Sequence, residues 1–249
     1  MVRAVDVPGV VTLIYTGTRH ALFIRLDICL DAKLKFNRNT ACANCFREKQ
    51  MCICEAVKSF SNKVRVLILQ HPQEQFKVLN SARLTRLALK NSDLRVGLSW
   101  PNFKKVCGDN SAPSEWGILY LKNELHLSSN NNDNKPAKRT GKDSAISVTG
   151  KNGRVVEDLP QIKGIVVIDG SWKQAKAMWW RNPWFLRLNR ISLNPSHPSL
   201  RKQMKKTGLS TIEAAALALG ELGEDEGICQ SMIKQYEELV VKPAAEFKQ

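Results

Sequence analysis

The chain has 249 residues, enough for one large domain or one domain with a small appendage, and ample for a hydrophobic core. Hydrophobic residues make up 43% and charged residues 24%, an ordinary globular balance, and no apolar run is long enough for a bilayer-spanning helix to be expected. Lysine and arginine total 38 against 23 acidic residues, a formal charge of +15, which points to a polyanionic partner: nucleic acid first, an anionic membrane surface second.

Residues 1–37 differ from the rest. VVTLIY is apolar but short and lacks a cleavage pattern, so a secretory signal is not expected. Arg3, Arg19 and Arg25 suit an organellar transit peptide, while Asp6, Asp27 and Asp31 count against one. The segment reads as an accessory N-terminus.

The next block, residues 38–60, holds four of the seven cysteines. Cys42-x-x-Cys45 is followed after six residues by Cys52-x-Cys54. A C-x-x-C places two thiolates around one turn, as in the knuckle of a tetrahedral zinc site, and the C-x-C sulfurs can reach the same metal. Four thiolates close the coordination shell, which suits a structural rather than a catalytic ion. The crowding also argues for a reducing compartment, cytoplasmic or nuclear, with an organelle still open. Cys29, Cys107 and Cys229 stand alone and read as buried core thiols.

From residue 61 to 243 the pattern is α/β. KVRVLILQ (63–70) and GIVVID (164–169) are short, β-branched apolar runs, as strands buried on both faces require; LRVGLSW (94–100) and GILYL (117–121) are weaker versions. FKVLNSARLTRLALKN (76–91) has helical spacing. LSTIEAAALALGEL (209–222) opens with Ser210 and Glu213, a capping box, and GICQSMIKQYEELVVKP follows as a helix that Pro243 should stop. Alternating strands and helices predict a mainly parallel sheet flanked by helices. Residues 128–154 are rich in Asn, Ser, Lys and Gly and read as a disordered insertion.

Asp169-Gly170-Ser171-Trp172 lies at the carboxyl end of a predicted buried strand, where ligands bind in open α/β sheets. An acid there can take a proton or orient a substrate, Gly170 permits close backbone approach, and the Ser171 hydroxyl can cap a helix over KQAKAMWW. From Lys173 to Lys206 every charge is basic, and Trp172, Trp179, Trp180 and Trp184 interleave with the cations. Cations for phosphates and aromatic faces for splayed bases are what RNA recognition uses. One ring of the Trp179–Trp180 pair should instead be core.

Four blocks in this order resemble the DTW-domain family of tRNA-uridine aminocarboxypropyltransferases, in the SPOUT-like superfamily. They are the cysteine set, LILQHPQEQFKVLNSARL (67–84), IDGSW (168–172) and SHPSLRKQMKKTGLSTIEAAALAL (196–219). Departures are Ser171 where the family has Thr, Met204 near a usual Pro, and the long insertion. The resemblance implies a trefoil knot and transfer of the 3-amino-3-carboxypropyl group of S-adenosylmethionine to N3 of a tRNA uridine. It implies a catalytic group of Asp169, Ser171 and Trp172, with Asp169 accepting or orienting the N3 proton. It implies a cofactor pocket from the loops carrying Gln70, His71, Gly170, Leu209, Thr211 and Glu213. For His71 a plain turn role, and for Glu213 the capping box, are alternatives. Lys173, Lys176, Arg201, Lys202 and Lys205 are assigned to tRNA phosphates. A SPOUT-type RNA methyltransferase and a non-catalytic, zinc-stabilised RNA-binding protein are the competing readings.

Overall fold

The computed structural model describes residues 3–7, 10–14, 41–77, 80–108, 111–121, 145–155, 162–200 and 208–246. The chain divides into two units, Met1–Asn37 and Arg38–Gln249. In the first, β1 (Arg3–Val7) and β2 (Val10–Ile14) pair as an antiparallel hairpin. The apolar run that was read only as an accessory segment is therefore one arm of a two-stranded sheet.

The second unit is built on a six-stranded sheet. Its elements run β3 (Arg65–Gln70), α1 (Ser81–Ala88), β4 (Ser92–Val96), α2 (Phe103–Cys107), β5 (Trp116–Leu121), β6 (Ile146–Thr149), β7 (Gly164–Asp169), α3 (Trp172–Arg181), β8 (Asn189–Leu193), α4 (Thr211–Glu221), α5 (Glu226–Tyr236) and α6 (Lys242–Glu246). The strand order is β4-β3-β7-β5-β8-β6, parallel throughout except that β6 closes one edge antiparallel to β8. This is the expected α/β architecture. Among the described residues no helix is long and apolar enough to cross a membrane.

Strand β3 shows why the sheet is central. Val66 and Ile68 face a core shared with α1, α4 and α5, while Leu67 and Leu69 face one shared with α2 and α3; all four are fully buried. Strand β7 repeats the division with Ile165 and Val167 against Val166. A strand buried on both faces cannot alternate polar and apolar residues, hence the continuous apolar runs in the sequence.

The termini of the elements refine the sequence reading. Helix α1 begins at Ser81 rather than 76, because the Asn80 side chain accepts the Arg83 N–H at 3.0 Å and caps it. Strand β4 lies at 92–96 rather than 94–100; the Gly97 N–H donates to the Gln70 carbonyl and the pairing with β3 ends. The supposed disordered insertion is ordered at its end. Its residues 128–144 lie outside the described residues, but Ile146 and Val148 are buried, as alternating positions of β6.

Pro243 does not stop the helix. A π-helical turn, Glu237–Val241, follows α5 and runs directly into α6, so Pro243 lies within a continuous helical run whose widened turn accommodates it. The Leu239 carbonyl, four residues before the proline, receives the Arg47 guanidinium at 3.1 Å instead. The capping box of α4 forms as read, with the Ser210 N–H donating to Glu213 at 2.9 Å. Cys107 and Cys229 are buried, and Cys29 lies outside the described residues. A knot would depend on the path between β8 and α4, of which residues 201–207 lie outside the described residues.

Glu224, Asp225 and Glu226 stand together in the sequence where α5 begins. Glu224 is buried and accepts the backbone N–H groups of Lys63 (2.7 Å) and Val64 (3.1 Å), while Asp225 caps α5. Glu224→Ala leaves two donors at the entry of β3 unpaired. The expected loss is about 1–3 kcal/mol, read as a lower urea midpoint at unchanged slope. Glu238→Ala, on an exposed site, should stay within about 0.5 kcal/mol of the parent.

Candidate active site and metal centre

The parallel register of β3 and β7 sets Gln70 beside Asp169, the last residue of each strand. After β3 the chain crosses through α1 to β4 on one side; after β7 it crosses through α3 to β8 on the other. The pair therefore sits at the switch point of the sheet, where diverging connections leave a crevice beyond the strand ends.

Asp169 is half-buried there. Its Oδ2 accepts from Gln70 Nε2 at 2.9 Å and its Oδ1 from Thr211 Oγ1 at 2.5 Å. Thr211 is the first residue of α4, so the partial positive charge of that helix terminus also faces the acid. Burial pushes the Asp169 carboxyl above its usual range; the Thr211 and Gln70 hydrogen bonds and the Lys77 charge pull it back, and the Glu74 charge adds to the rise. Each carboxylate oxygen keeps a second lone pair, so the group can still accept a proton from a ligand. Gln70 is fully buried, and its Oε1 has no hydrogen-bond partner among the described residues.

The neighbouring residues shape this crevice. The His71 N–H donates to the Asp169 carbonyl at 2.9 Å, and its Nδ1 accepts the Gln73 N–H at 3.2 Å, capping a 3-10 turn at Pro72–Glu74. His71 thus has the turn role described above. A Cβ on Gly170 would stand 3.1 Å from the Gln174 Cβ and 3.5 Å from the His71 Cβ, so glycine is what the close approach of these two loops allows. Ser171 is the N-cap residue of α3 and donates its own N–H to Gln174 Oε1 at 2.6 Å. Gln174 in turn donates to Gln73 at 3.0 Å, tying the two crevice loops together. Neither glutamine was singled out in the sequence; polar side chains opposite a strand-end acid were the available signal.

Glu213 and Leu209 flank Thr211 at the turn into α4. The buried Glu213 carboxylate accepts from Ser210, from Ser199 Oγ at 2.6 Å and from the Leu200 N–H at 2.7 Å. It anchors the loop before α4 and is occupied by the protein's own donors. Leu209 is half-buried and packs on the main core.

Along α3, Trp172, Lys176 and Trp180 recur every four residues and share an exposed face with Lys173 beside them. Trp180 is 57% exposed and Trp172 37%, whereas Trp179 and Trp184 are core residues. Lys173 and Lys176 make no ion pair among the described residues. Arg201, Lys202 and Lys205 lie outside the described residues.

The four sulfurs of Cys42, Cys45, Cys52 and Cys54 lie within 4.8 Å of one another, with Cys42–Cys54 at 3.6 Å and Cys45–Cys52 at 3.8 Å. A tetrahedral zinc with sulfurs at about 2.3 Å requires an edge of about 3.8 Å, so the set fits zinc. The N–H groups of Cys45 and Asn44 hold the Cys42 thiol down to about 6, whereas burial and the neighbouring sulfurs push Cys54 up. Ionising all four thiols together needs a cation among them. Phe46, directly after Cys45, has φ +59, and its N–H closes the knuckle on the Cys42 carbonyl at 3.0 Å.

The unit Arg38–Gln249 thus carries an acid at the switch point of a mainly parallel sheet and a four-thiol cluster. Residues 39–242 match the DTW domain, and the chain belongs to that family. It is 25% identical over 215 residues to tRNA-uridine aminocarboxypropyltransferase 2 of Macaca fascicularis, covering 81% of this chain and 63% of that protein. The like-named Drosophila melanogaster protein is 27% identical over 208 residues, 80% of this chain and 72% of that one. The chain thus spans less than two thirds of the macaque relative's length. No solved structure matches it.

The sulfur geometry predicts one tightly held metal ion per chain, measured by elemental analysis. Cys45→Ser, at a buried ligand, should release the ion and lower the melting temperature by several degrees. Cys229→Ser, at a lone thiol, should leave the metal content unchanged.

Proposed function

We propose that the chain transfers the 3-amino-3-carboxypropyl group of S-adenosylmethionine to N3 of a tRNA uridine, with zinc holding the knuckle. The observation that carries this is Asp169, a half-buried carboxylate gripped by Gln70 and Thr211 at the mouth of the switch-point crevice. The names of the relatives supply the reaction class. Residues of the crevice fit a cationic donor: the Asp169 carboxylate and the unpartnered Gln70 Oε1 are acceptors for positive centres. S-adenosylmethionine, when bound, would supply a carbon activated by the adjacent sulfonium, the S–C bond breaking as N3–C forms and 5′-methylthioadenosine leaving.

In this reading the chain's own residues position and deprotonate. Uridine N3–H is a poor nucleophile until its proton leaves, and Asp169 takes that proton. Burial helps, because a raised pKa makes the carboxylate a stronger base near neutral pH. Thr211 and Gln70 fix its rotamer so that a free lone pair faces the crevice. Ser171 and Trp172 open α3 beside it, and α3 carries the RNA side. Lys173 and Lys176 meet phosphates, and Trp180 offers a face for an unpaired base.

Incubation with transcribed tRNA and labelled S-adenosylmethionine, followed by mass sequencing, tests the reaction. The aminocarboxypropyl mass on a uridine is expected; a methyl mass, or none, overturns the reading. Asp169→Asn should slow transfer by about 10²–10⁴-fold. The acid limb of kcat/KM should lie above the ordinary carboxylate range, since activity is lost as pH falls through the raised pKa. Thr211→Ala removes a hydrogen bond that lowers that pKa, so it should move the limb further up.

Replacing Lys173 and Lys176 together by Ala should flatten the salt dependence of tRNA binding by about one to two units of log–log slope. Trp180→Ala should weaken binding with that slope unchanged.

A further inference from the structure

We propose that Arg83 is the carboxylate-binding residue of this site, taking the carboxylate of the transferred aminocarboxypropyl group, and that the cysteine knuckle holds it in place through Phe46. This rests on the function proposed above.

Arg83 is the third residue of α1, on the element that follows the loop from the carboxyl end of β3. That loop lies over the switch point: the charges of Glu74 and Lys77 both reach Asp169, and Glu74 pairs with Lys77 at 2.8 Å. Asn80 fixes the start of α1 against the loop, donating to the Glu74 carbonyl at 2.7 Å while capping at the Arg83 N–H. Arg83 thereby belongs to the same end of the sheet as Asp169.

Its side chain is unusual. Arg47 and Arg65 are also half-buried, and each donates to an oxygen: Arg47 to the Leu239 carbonyl, Arg65 to Asp93 and the Cys107 carbonyl. Arg83 makes no side-chain hydrogen bond or ion pair among the described residues, and its Nε is fully buried without a partner. A guanidinium stays charged in any protein environment, so a half-buried one with no acceptor calls for an anion from outside. Burial lowers its pKa, and the negative charges of Asp169 and Cys45 oppose that shift.

What holds it is the knuckle. The guanidinium carbon lies 3.9 Å from the centroid of the Phe46 ring. Stacking of that kind uses the face of the guanidinium and leaves its planar fork of N–H groups free for a bidentate acceptor. Phe46 reaches this position from a left-handed backbone directly after Cys45, so the metal-binding turn sets where the ring lies. Phe76, from the crevice loop, adds a second ring 5.9 Å from it.

The crevice is thus bipolar. Asp169 and Gln70 Oε1 accept, and Arg83 donates. An amino-acid terminus carries one group of each kind, an ammonium and a carboxylate, and a planar carboxylate matches the guanidinium fork. A nucleic-acid phosphate would take the cation as well but would leave the buried acceptor unused.

Calorimetry with three ligands tests this: S-adenosylmethionine, its decarboxylated form, and 5′-methylthioadenosine, which lacks the whole aminocarboxypropyl group. The parent protein should bind S-adenosylmethionine about 10–100-fold more tightly than the decarboxylated form, the range of a charge-assisted bidentate pair. Arg83→Gln should bring that preference to within about twofold and leave 5′-methylthioadenosine binding unchanged. Metal content and melting temperature are measured on the same samples. If Arg83→Gln weakens all three ligands alike, Arg83 only balances the thiolates and the proposal fails. A parent protein without preference for the carboxylate, or a variant that keeps it, also overturns it. Should Arg83→Gln not fold, Arg83→Lys, which keeps the charge without the fork, should reduce the preference, and an undiminished one refutes the proposal. A parent that binds neither S-adenosylmethionine nor 5′-methylthioadenosine refutes the proposed function itself.

Discussion

Everything at the crevice depends on the pairing of β3 with β7. Two strands buried on both faces lie parallel and in a register that ends both at the same level, with Gln70 opposite Asp169. A carboxylate brought this far out of water is costly unless donors meet it. The sheet supplies one donor through Gln70, and the turn into α4 supplies the other through Thr211. A one-residue slip of either strand would reverse which face each side chain occupies and would separate the pair. The continuous apolar runs, which look like a statement about stability, therefore also fix the position of the acid.

The same topology gives the acid two different sides. Helix α1 leaves β3 for the core shared with α4 and α5, and α3 leaves β7 for the opposite core. On one side stands the half-buried Arg83, backed by Phe46; on the other the exposed line of Trp172, Lys176 and Trp180. In the proposed function the first is the small-molecule side and the second the RNA side. In that reading the carboxylate proposed to take the proton stands between the two.

The fold was legible where burial was two-sided. Val66–Leu69 and Ile165–Ile168 are apolar without interruption, so their strands were plain. Strand β8 was not, because Asn189 and Arg190 sit in a stretch whose basic charge dominated the reading, leaving only Ile191 and Leu193 to mark it. Strand β6 was hidden by its neighbours: Ile146 and Val148 lie in a polar, lysine-rich segment and form the sheet edge, paired with β8. Pro243 misled because its helical hydrogen bond is replaced from far away, by Arg47. In the site, Asp169, Gly170 and the cysteines could be read from spacing, since each has a local reason to be where it is. Gln70 entered only through the family resemblance, and Gln174 and Arg83 not at all, because their meaning lies in what is packed opposite them; Arg83 in particular has no side-chain hydrogen-bond partner among the described residues.

The charge of +15 can now be divided between fold and surface. Many of the acidic side chains have structural work. Glu224 straps the start of β3, Asp225 caps α5, Glu213 anchors the loop before α4, and Asp93, Glu115 and Glu74 each pair with a nearby cation. Among the described residues Lys173 and Lys176 of α3 make no ion pair: between Lys173 and Leu200 there is no acidic residue, and the two stand exposed beside two exposed indole rings. Nine cations between Lys173 and Lys206 run without an acidic residue among them, and two of these, Lys173 and Lys176, lie on the exposed face of α3. In the proposed function this run, which follows the proposed catalytic carboxylate in the chain, draws an incoming polyanion.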